Sequence, residues 1–337
     1  MAEVLVTGGS GYIGGWCTLA LLNAGYSVRT TVRDLSREHK VREMLRRGGA
    51  DPGDALQVVR ADLAGDDGWA DAAAGCDGVL HVASPTLTKA PKNDDEMVRP
   101  AVDGTLRVLR AARDGGVRRV VLTSAIGAIA YGHEQRDTPF TEQDWTNVDA
   151  EGIQPYQKSK TLAERAAWEF VRDGALELAT VNPTGVLGPV LGLEYSPSLT
   201  GIARMLDGSM PALLPFATGY VDVRDVAALH LLALVEPAAA GERFIATAGR
   251  SLWLRDVAAI LRDRLGERAA KVPTREMPLW AARQLAKVNP QVRQLRAALG
   301  RDLAATSVKA ERLLGWKPRP IEDTIVETAE SLLALHH

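Results

Sequence analysis

The residues that decide the fold stand near the amino terminus: Val4-Leu-Val-Thr7, then Gly8-Gly-Ser-Gly11, then Tyr12-Ile-Gly14. The apolar run predicts a β-strand, and apolar residues at helical spacing from Tyr12 to Ala24 predict a helix that ends at Gly25. Glycines between the two let the backbone turn tightly, while the first turn of the helix offers unpaired N–H groups. A strand, a glycine loop and a helix in this order indicate a site for the pyrophosphate of a dinucleotide.

The alternation of strand and helix continues through the first half of the chain. Predicted strands cover Val4–Thr7, Ser27–Val32, Leu56–Ala61, Gly78–Ala83, Arg119–Ser124 and Glu177–Asn182. The later helices are predicted at Arg37–Arg47, Trp69–Ala74, Asn93–Asp114 and Pro155–Asp173. Six strands alternating with helices predict an α/β fold with a doubly wound parallel sheet of the Rossmann type.

The second half of the chain is less regular. Beyond Pro183 come glycine- and proline-rich stretches, one predicted strand at Arg243–Thr247, and helical segments at Val223–Val235, Trp253–Gly266, Leu279–Ala286, Ser307–Leu314 and Glu322–Leu335. We therefore expect a dinucleotide-binding domain at 1–183 and a smaller, mostly helical substrate lobe at 184–335. Residues near 220–247 are expected to return to the first domain.

Composition narrows the class of protein. The 337 residues are 46% hydrophobic and 24% charged, with a formal net charge of -2. These values exclude disordered, collagen-like and coiled-coil chains, and they provide no basic field for nucleic acid or an anionic membrane. Two cysteines, Cys17 and Cys76, no signal peptide pattern and no apolar stretch of roughly 18 residues predict a cytoplasmic protein without a membrane partner. The terminal His336-His337 is either natural or a tag remnant, and it carries no inference.

The end of the second strand indicates which dinucleotide binds. Arg33 stands where an NAD-binding protein would place an acid against the ribose hydroxyls, and Lys40 follows on the next helix. A guanidinium matches phosphate geometry, so Arg33 and Lys40 predict NADP(H), whose extra phosphate they would hold. Two alternatives stay open. Asp34 competes with Arg33 for the cofactor's ribose if the strand ends one residue later. Independently of this, the basic residues of the helix could be no more than a solvated face.

Other strand ends extend the predicted cofactor site. Asp62, after the third strand, is expected to face the adenine, and Val82-Ala83-Ser84, after the fourth, to pass beneath a ribose. His81 is interpreted as a packed core histidine rather than a catalytic group.

The reacting groups are predicted at the fifth strand and the helix that follows. Tyr156 and Lys160 lie four residues apart after Pro155, which suits the first turn of a helix, so they share one face. The fifth strand ends at Thr123-Ser124, and parallel topology brings that end to the crevice of the glycine loop. A hydroxyl, a phenol and an ammonium are therefore expected to converge on the nicotinamide.

These motifs together resemble the extended short-chain dehydrogenase/reductase superfamily, in the branch of dihydroflavonol reductases, cinnamoyl-CoA reductases and microbial aldehyde and ketone reductases. Asn182–Pro189 and Tyr220–Ala227 also match, so the resemblance covers nearly the whole chain. It implies that Tyr156 donates a proton, that Lys160 lowers the pKa of Tyr156 and holds the nicotinamide ribose, and that Ser124 orients the substrate carbonyl. The expected cofactor-binding residues are Thr7, Gly8, Gly11, Tyr12, Ile13, Gly14, Arg33, Lys40, Asp62, Leu63, Val82, Ala83, Ser84, Thr123, Tyr156, Lys160, Pro183 and Val186, with no metal.

The chain departs from this family at several positions. Relatives often carry two serines after the threonine, whereas this chain has Ser124 and then Ala125, which leaves Thr123 as the fallback hydroxyl. The substrate-contacting asparagine of flavonoid reductases falls at Ala130, and Gly152-Ile-Gln-Pro155 lacks the signature of cinnamoyl-CoA reductases. The sequence therefore favours an NADPH-dependent reductase acting on a small, partly apolar aldehyde or ketone, in a monomer or a homodimer.

Two other functions stay open but are disfavoured. A sugar-nucleotide epimerase or dehydratase of the same fold is disfavoured by Arg33, by Ala125-Ile126 and by few basic residues besides Arg204 near the substrate. A non-catalytic NADP-sensing regulator is disfavoured because Tyr156 and Lys160 are both retained. Candidate substrate-contacting side chains are Thr86, Leu87, Leu187, Leu193, Tyr195, Met205, Met210 and Phe216.

Overall fold

The computed structural model describes residues 2–85, 91, 93–192 and 197–335. Its strands are β1 (Glu3–Thr7), β2 (Ser27–Val32), β3 (Leu56–Arg60), β4 (Gly78–His81), β5 (Arg119–Thr123), β6 (Glu177–Pro183), β7 (Gly185–Leu187), β8 (Ala217–Thr218), β9 (Tyr220–Asp222), β10 (Arg243–Ala246), β11 (Leu252–Trp253) and β12 (Asp302–Leu303). Its helices are α1 (Tyr12–Asn23), α2 (Glu38–Arg47), α3 (Trp69–Ala73), α4 (Asp95–Asp114), α5 (Pro155–Phe170), α6 (Pro197–Leu206), α7 (Val223–Val235), α8 (Leu254–Leu265), α9 (Leu279–Val288), α10 (Pro290–Arg293), α11 (Val308–Leu314) and α12 (Ile321–Ala334).

Seven parallel strands form the central sheet in the order β10-β6-β5-β4-β1-β2-β3. Side chains alternate between its two faces, so that Val4 and Val6 pack with α1 and α7 while Leu5 packs with α3 and α4. Because both faces are covered by helices, the strands are almost continuously apolar. The predicted doubly wound Rossmann-type fold is confirmed.

The strand order reverses between β1 and β4, which lie side by side with Thr7 opposite His81. In open α/β sheets the crevice for the ligand forms outside the carboxyl ends of the strands at such a reversal. The glycine loop after β1 and residues 82–85 after β4 therefore border the same crevice.

A seventh strand joins the six of the first half of the chain, at the place where the sequence predicts a strand over Arg243–Thr247. Arg243–Ala246 pairs with Thr180–Pro183 and becomes the seventh strand, because β10 comes back beside β6 after the chain has passed through α7. Smaller sheets lie beyond β6: β7 pairs with β9, and β8 lies between β11 and β12.

Some predicted boundaries were a few residues too long. β4 ends at His81 instead of Ala83, because the amide of Ala83 donates to the side chain of Thr7 at 2.9 Å instead of to a strand neighbour. α5 ends at Phe170, three residues before the predicted end. In the part of the chain that the structure describes, no helix is long and apolar enough to cross a membrane.

Candidate active site

The glycine loop is built so closely that side chains are excluded from it. A Cβ on Gly14 would lie 2.2 Å from the Gly8 carbonyl oxygen, and one on Gly9 would lie 2.0 Å from the Thr30 hydroxyl. Gly8 has a φ of +74°, in the region that favours glycine. Gly11 precedes α1 and, as a glycine, leaves the first N–H groups of the helix without a side-chain cap. This cradle fits a dinucleotide pyrophosphate, which those N–H groups would bind.

Thr7 and His81 hold the two neighbouring strand ends together. The Thr7 hydroxyl lies 2.9 Å from Nδ1 of His81 and accepts the amide hydrogen of Ala83. Burial lowers the pKa of His81 to about 3, so the ring is neutral, in agreement with its interpretation as a core histidine. Val82 and Ala83 are half-buried and Ser84 is exposed at the crevice edge.

Tyr12 and Ile13 open α1, but the Tyr12 side chain does not face a cofactor. Its hydroxyl donates to the Gly188 carbonyl at 2.9 Å, and the residue is buried. The Tyr12 phenol thereby ties α1 to the segment after β7, so any part of Tyr12 in cofactor binding falls to its backbone. Ile13 is half-buried against the main core.

Arg33 is the first residue past β2, and both Arg33 and Lys40 are exposed. No hydrogen bond or ion pair engages either side chain in the described part of the chain. Asp34, by contrast, accepts the amide hydrogen of Ser36 at 2.9 Å and caps the 3-10 turn Leu35–Arg37. That hydrogen bond lowers the pKa of Asp34. The cationic groups are therefore available at this edge of the crevice, whereas the carboxylate is already engaged.

Asp62 and Leu63 follow β3 and differ in environment. Asp62 is exposed and accepts the amide hydrogen of Ala64 at 3.0 Å. Leu63 is half-buried against α4, where a Cβ on Gly104 would lie 3.0 Å from it. Asp62 and Leu63 thus form the border of the loop after β3.

Tyr156 lies in the first turn of α5, directly after Pro155. Its side chain is 46% exposed and lies over Gly127, where an added Cβ would be 3.4 Å from ring atom Cε1. The protein around the crevice removes enough hydration to raise the pKa of Tyr156 to about 12, and the charge of Tyr131 adds to the rise. The phenol is therefore protonated at neutral pH.

Lys160 lies one turn further along α5, where its ammonium donates to the Thr123 carbonyl at 3.3 Å. Loss of hydration lowers its pKa to about 8, an effect that the carboxylate of Glu164 opposes. The resemblance implies that Lys160 lowers the pKa of Tyr156, but in this structure that pKa is raised by burial and by Tyr131. Lys160 is placed beside β5 instead, within electrostatic range of His81.

The hydroxyls of Thr123 and Ser124 both point into the protein. Nδ1 of His230 lies 2.8 Å from the Val226 carbonyl and must carry a hydrogen, so Nε2 accepts from Thr123 at 2.6 Å. Ser124 donates to the buried Glu164 carboxylate at 2.5 Å. The role of Ser124 towards a substrate stays a prediction, and this hydrogen bond does not favour it.

Pro183 ends β6 and Val186 lies in β7, both buried. Among the candidate substrate contacts, Leu187 and Met205 are fully buried in the main core, Phe216 is nearly so, and Met210 is half-buried. Leu187 and Met205 are therefore core residues rather than substrate contacts. Thr86, Leu87, Leu193 and Tyr195 lie outside the described residues.

Sequence reasoning missed the polar groups behind and beside Tyr156. Glu164 is completely buried and bonds Arg243 at 2.6 Å and Asn182 at 2.8 Å as well as Ser124. Its position four residues after Lys160, on the same helix face, was a signal that could have revealed it. Gln157, the next residue, also lies beside the Tyr156 ring over Gly127.

The glycine cradle and the Tyr156–Lys160 pair on α5 are typical of a dinucleotide-dependent oxidoreductase, and the relatives that this chain resembles include reductases. Residues 4–246 match the model of the NAD dependent epimerase/dehydratase family. The chain is 34% identical over 335 residues to cinnamoyl-CoA reductase CAD2 of Medicago truncatula, covering 98% of this chain and 95% of that protein. It is 37% identical over 280 residues to dihydroflavonol 4-reductase of Zea mays, covering 78% and 74%.

Among solved structures, yeast methylglyoxal/isovaleraldehyde reductase Gre2 complexed with NADPH superposes with a TM-score of 0.79 at 25% identity, over 99% of each chain. The chain belongs to the NAD dependent epimerase/dehydratase family, within the extended short-chain dehydrogenases/reductases. Gre2 from Candida albicans, also in complex with NADPH, superposes with a TM-score of 0.81 at 24% identity over 100% of each chain.

Proposed function

We propose that this protein reduces a small, partly apolar aldehyde or ketone to the alcohol. The observation that carries the proposal is the position of Tyr156, a half-exposed phenol one helical turn before a lysine, at the edge of the sheet where the glycine loop lies. When bound, NADPH supplies a hydride to the carbonyl carbon. The protein then has to stabilise and protonate the oxygen.

Tyr156 supplies that proton. A phenol with a pKa of about 12 keeps its hydrogen at neutral pH, yet it is a much stronger acid than an alcohol and gives the proton to a developing alkoxide. Lys160, still largely cationic at neutral pH with a pKa of about 8, holds the ribose hydroxyls and stabilises the phenolate that Tyr156 becomes.

The remaining predicted residues complete a cofactor site in this proposal. Arg33 and Lys40 bind the extra phosphate of NADPH, and Asp62 faces the adenine. Residues 1–183 bind the cofactor and residues 184–335 the substrate. Cys17 and Cys76 are both free and buried, which suits the reducing conditions of the cytoplasm. The active unit is a monomer or a homodimer.

The substrate class follows from the groups near the crevice. Ala130, at the position where flavonoid reductases carry an asparagine, is buried and has no hydrogen-bonding side chain. The similarity to yeast methylglyoxal/isovaleraldehyde reductase Gre2 over 99% of the chain supports a small carbonyl compound as the substrate.

The test follows NADPH absorbance with a panel of aldehydes, ketones, 1,2-dicarbonyls, a dihydroflavonol, cinnamoyl-CoA and a UDP-sugar. We expect the highest kcat/KM with a small aldehyde or ketone. Tyr156→Phe should bind NADPH normally while kcat falls by roughly 10²–10⁴-fold, the loss typical of a missing general acid. A preference for cinnamoyl-CoA or the flavonoid would refute the substrate class. A Tyr156→Phe variant with the parent kcat would refute the mechanism.

A further inference from the structure

A buried carboxylate, that of Glu164, lies on the helix that carries Tyr156 and Lys160. Glu164 follows Lys160 by one turn of α5 and Tyr156 by two turns, and its side chain is completely buried. No step of the proposed reduction uses it. A charge in the interior costs free energy unless it is paired and hydrogen-bonded, so the partners of Glu164 indicate what the charge does.

The Glu164 carboxylate joins α5 to three neighbouring strands of the central sheet. Its Oε2 accepts from the Ser124 hydroxyl, directly after β5, at 2.5 Å and from Nδ2 of Asn182 in β6 at 2.8 Å. Its Oε1 accepts from Nε of Arg243 in β10 at 2.6 Å. Nδ2 of Asn182 also donates to the Ala125 carbonyl at 3.4 Å. Since β5, β6 and β10 are adjacent in the sheet, one side chain fixes α5 against all three.

Lys160 contacts the same strand end that Glu164 anchors. Its ammonium donates to the Thr123 carbonyl at 3.3 Å, one residue before Ser124. Ser124 is held from two sides, because its hydroxyl bonds Glu164 and its amide donates to the Val181 carbonyl at 2.8 Å. Lys160 and Glu164 share one face of α5, so the helix meets the end of β5 at two points one turn apart. A shorter side chain at Glu164 would therefore move the ammonium relative to β5.

Arg243 extends this network to the loop that leads to α5. Besides pairing with Glu164, it donates from Nη1 to the carbonyls of Glu142 at 2.6 Å and Asp144 at 2.9 Å. Its guanidinium carbon lies 3.7 Å from the centre of the Trp145 ring. The loop is thus fixed by the same ion pair that fixes the helix.

The next residue of that loop, Thr146, supports the backbone beneath Tyr156. Its buried hydroxyl donates to the Gly127 carbonyl at 2.8 Å. An added Cβ on Gly127 would lie 3.4 Å from the Tyr156 ring, so Gly127 is in contact with the phenol. The Glu164 network therefore holds both the helix that carries Tyr156 and the loop that supports the backbone under its ring.

We propose that Glu164 is a positioning residue, whose hydrogen bonds set where Tyr156 and Lys160 stand relative to the end of β5. The inference rests on the proposed function, because these two groups act on the carbonyl there. Glu164 is completely buried and acts only through α5 and the strands that it joins. A carboxylate of the right length is required, since its two oxygens have to meet donors from β5, β6 and β10 together.

The test compares Glu164→Asp and Glu164→Gln with Glu177→Gln as the matched control. Glu177 pairs with the buried Arg119 at 2.8 Å, and these are the first residues of β6 and β5. The control thus breaks a Glu–Arg pair on two of the same strands, at the end opposite to the crevice. All three variants should lower Tm, so Tm does not distinguish a positioning role from a purely structural one.

The turnover number does distinguish them. Glu164→Asp keeps the charge but withdraws the carboxylate by one methylene, which displaces α5 from β5. We expect its kcat to fall by roughly 10–10²-fold, since a displacement of about 1 Å can cost that much. The NADPH Kd should stay within about threefold, and Glu177→Gln should keep the parent kcat. If Glu164→Asp has the kcat of the control, the proposal is overturned.

A second measurement, the pH dependence of NADPH binding, needs no carbonyl substrate. The Glu164 carboxylate raises the pKa of Lys160, while Tyr156 and His81, the other ionisable groups near the ammonium, carry no charge at pH 8. In the parent, the NADPH Kd should rise as pH passes about 8. This titration should move to lower pH in Glu164→Gln and stay in place in Glu164→Asp and Glu177→Gln.

An unmoved titration in Glu164→Gln would also overturn the proposal. Should Glu164→Gln fail to fold, Glu164→Asp still decides through kcat, because it keeps the charge that pairs with Arg243. A parent protein that reduces no carbonyl compound would refute the proposed function, and the titration would then decide separately whether Glu164 acts on Lys160.

Discussion

Replacing Arg33 with alanine should change which cofactor the protein prefers. The guanidinium is exposed directly after β2 and has no partner within the described residues, so nothing inside the protein competes with a phosphate for it. Asp34, the carboxylate that could have favoured NADH instead, is engaged by the Ser36 amide at 2.9 Å. Arg33→Ala therefore removes a contact that only NADPH can make.

The size of the effect follows from the type of contact. A hydrogen bond to a charged group contributes about 1.5–3 kcal/mol, and exposure to solvent places this one near the lower end, which corresponds to roughly tenfold. We expect the KM for NADPH to rise by about that factor, with kcat and the KM for NADH nearly unchanged. Lys40→Ala should act in the same direction with a smaller effect, because an ammonium makes a less specific contact with phosphate.

The assay measures kcat and KM for both cofactors at low and high salt. The NADPH preference of the parent should weaken as salt is raised, while that of Arg33→Ala should be nearly insensitive. An unchanged NADPH/NADH ratio in Arg33→Ala would refute the reasoning. An equal loss with both cofactors would show that the variant disturbs the loop rather than a phosphate contact.

Three further outcomes are expected. The kcat/KM for NADPH should fall as pH rises through about 8, where Lys160 loses its charge. Lys160→Met should raise the NADPH Kd, lower kcat and abolish that titration. A pH profile unaltered in the variant would contradict the assignment. Arg243→Leu leaves the buried Glu164 without its ion pair and should cost about 3–5 kcal/mol in the free energy of unfolding by urea, whereas a loss within error would show that the pair contributes little. The pKa values of His81 and His230 are lowered to about 3 and 4, so both rings are neutral in the folded protein and take up protons on unfolding. The free energy of unfolding measured with urea should therefore decline as pH falls below about 6.5. A free energy of unfolding that stays constant down to pH 4 would be inconsistent with this.

The parts of the site that could be predicted from the sequence are those that depend on local spacing. Gly8 to Gly14 and the Tyr156–Lys160 pair each lie within one turn or one helix, so the chain itself sets their geometry. Arg33 could be placed because a short strand precedes it directly. The structure ends β2 at Val32, as predicted, which leaves Arg33 as the first residue outside the strand.

The sequence could not predict the direction in which a side chain points or the hydrogen-bond partner that it meets. Thr123 and Ser124 are neighbours at the end of β5, so they face opposite sides of the sheet. Thr123 meets His230 on α7, and Ser124 meets Glu164 on α5. Both partners lie far away along the chain, and no spacing rule identifies them. The strand β10 was predicted, and so was its return to the first domain, but its neighbour β6 was not, because that pairing spans more than sixty residues.

The raised pKa of Tyr156 favours one direction of the reaction. Reduction needs a phenol that holds its proton, whereas oxidation of an alcohol needs a phenolate to remove one. With a pKa of about 12, the phenol of the free protein keeps its proton at neutral pH. Lys160 does little to change this balance in the structure, because its ammonium donates to the Thr123 carbonyl. A protonated Tyr156 therefore fits the proposed direction of reaction, in which this phenol gives up a proton to the reduced carbonyl oxygen.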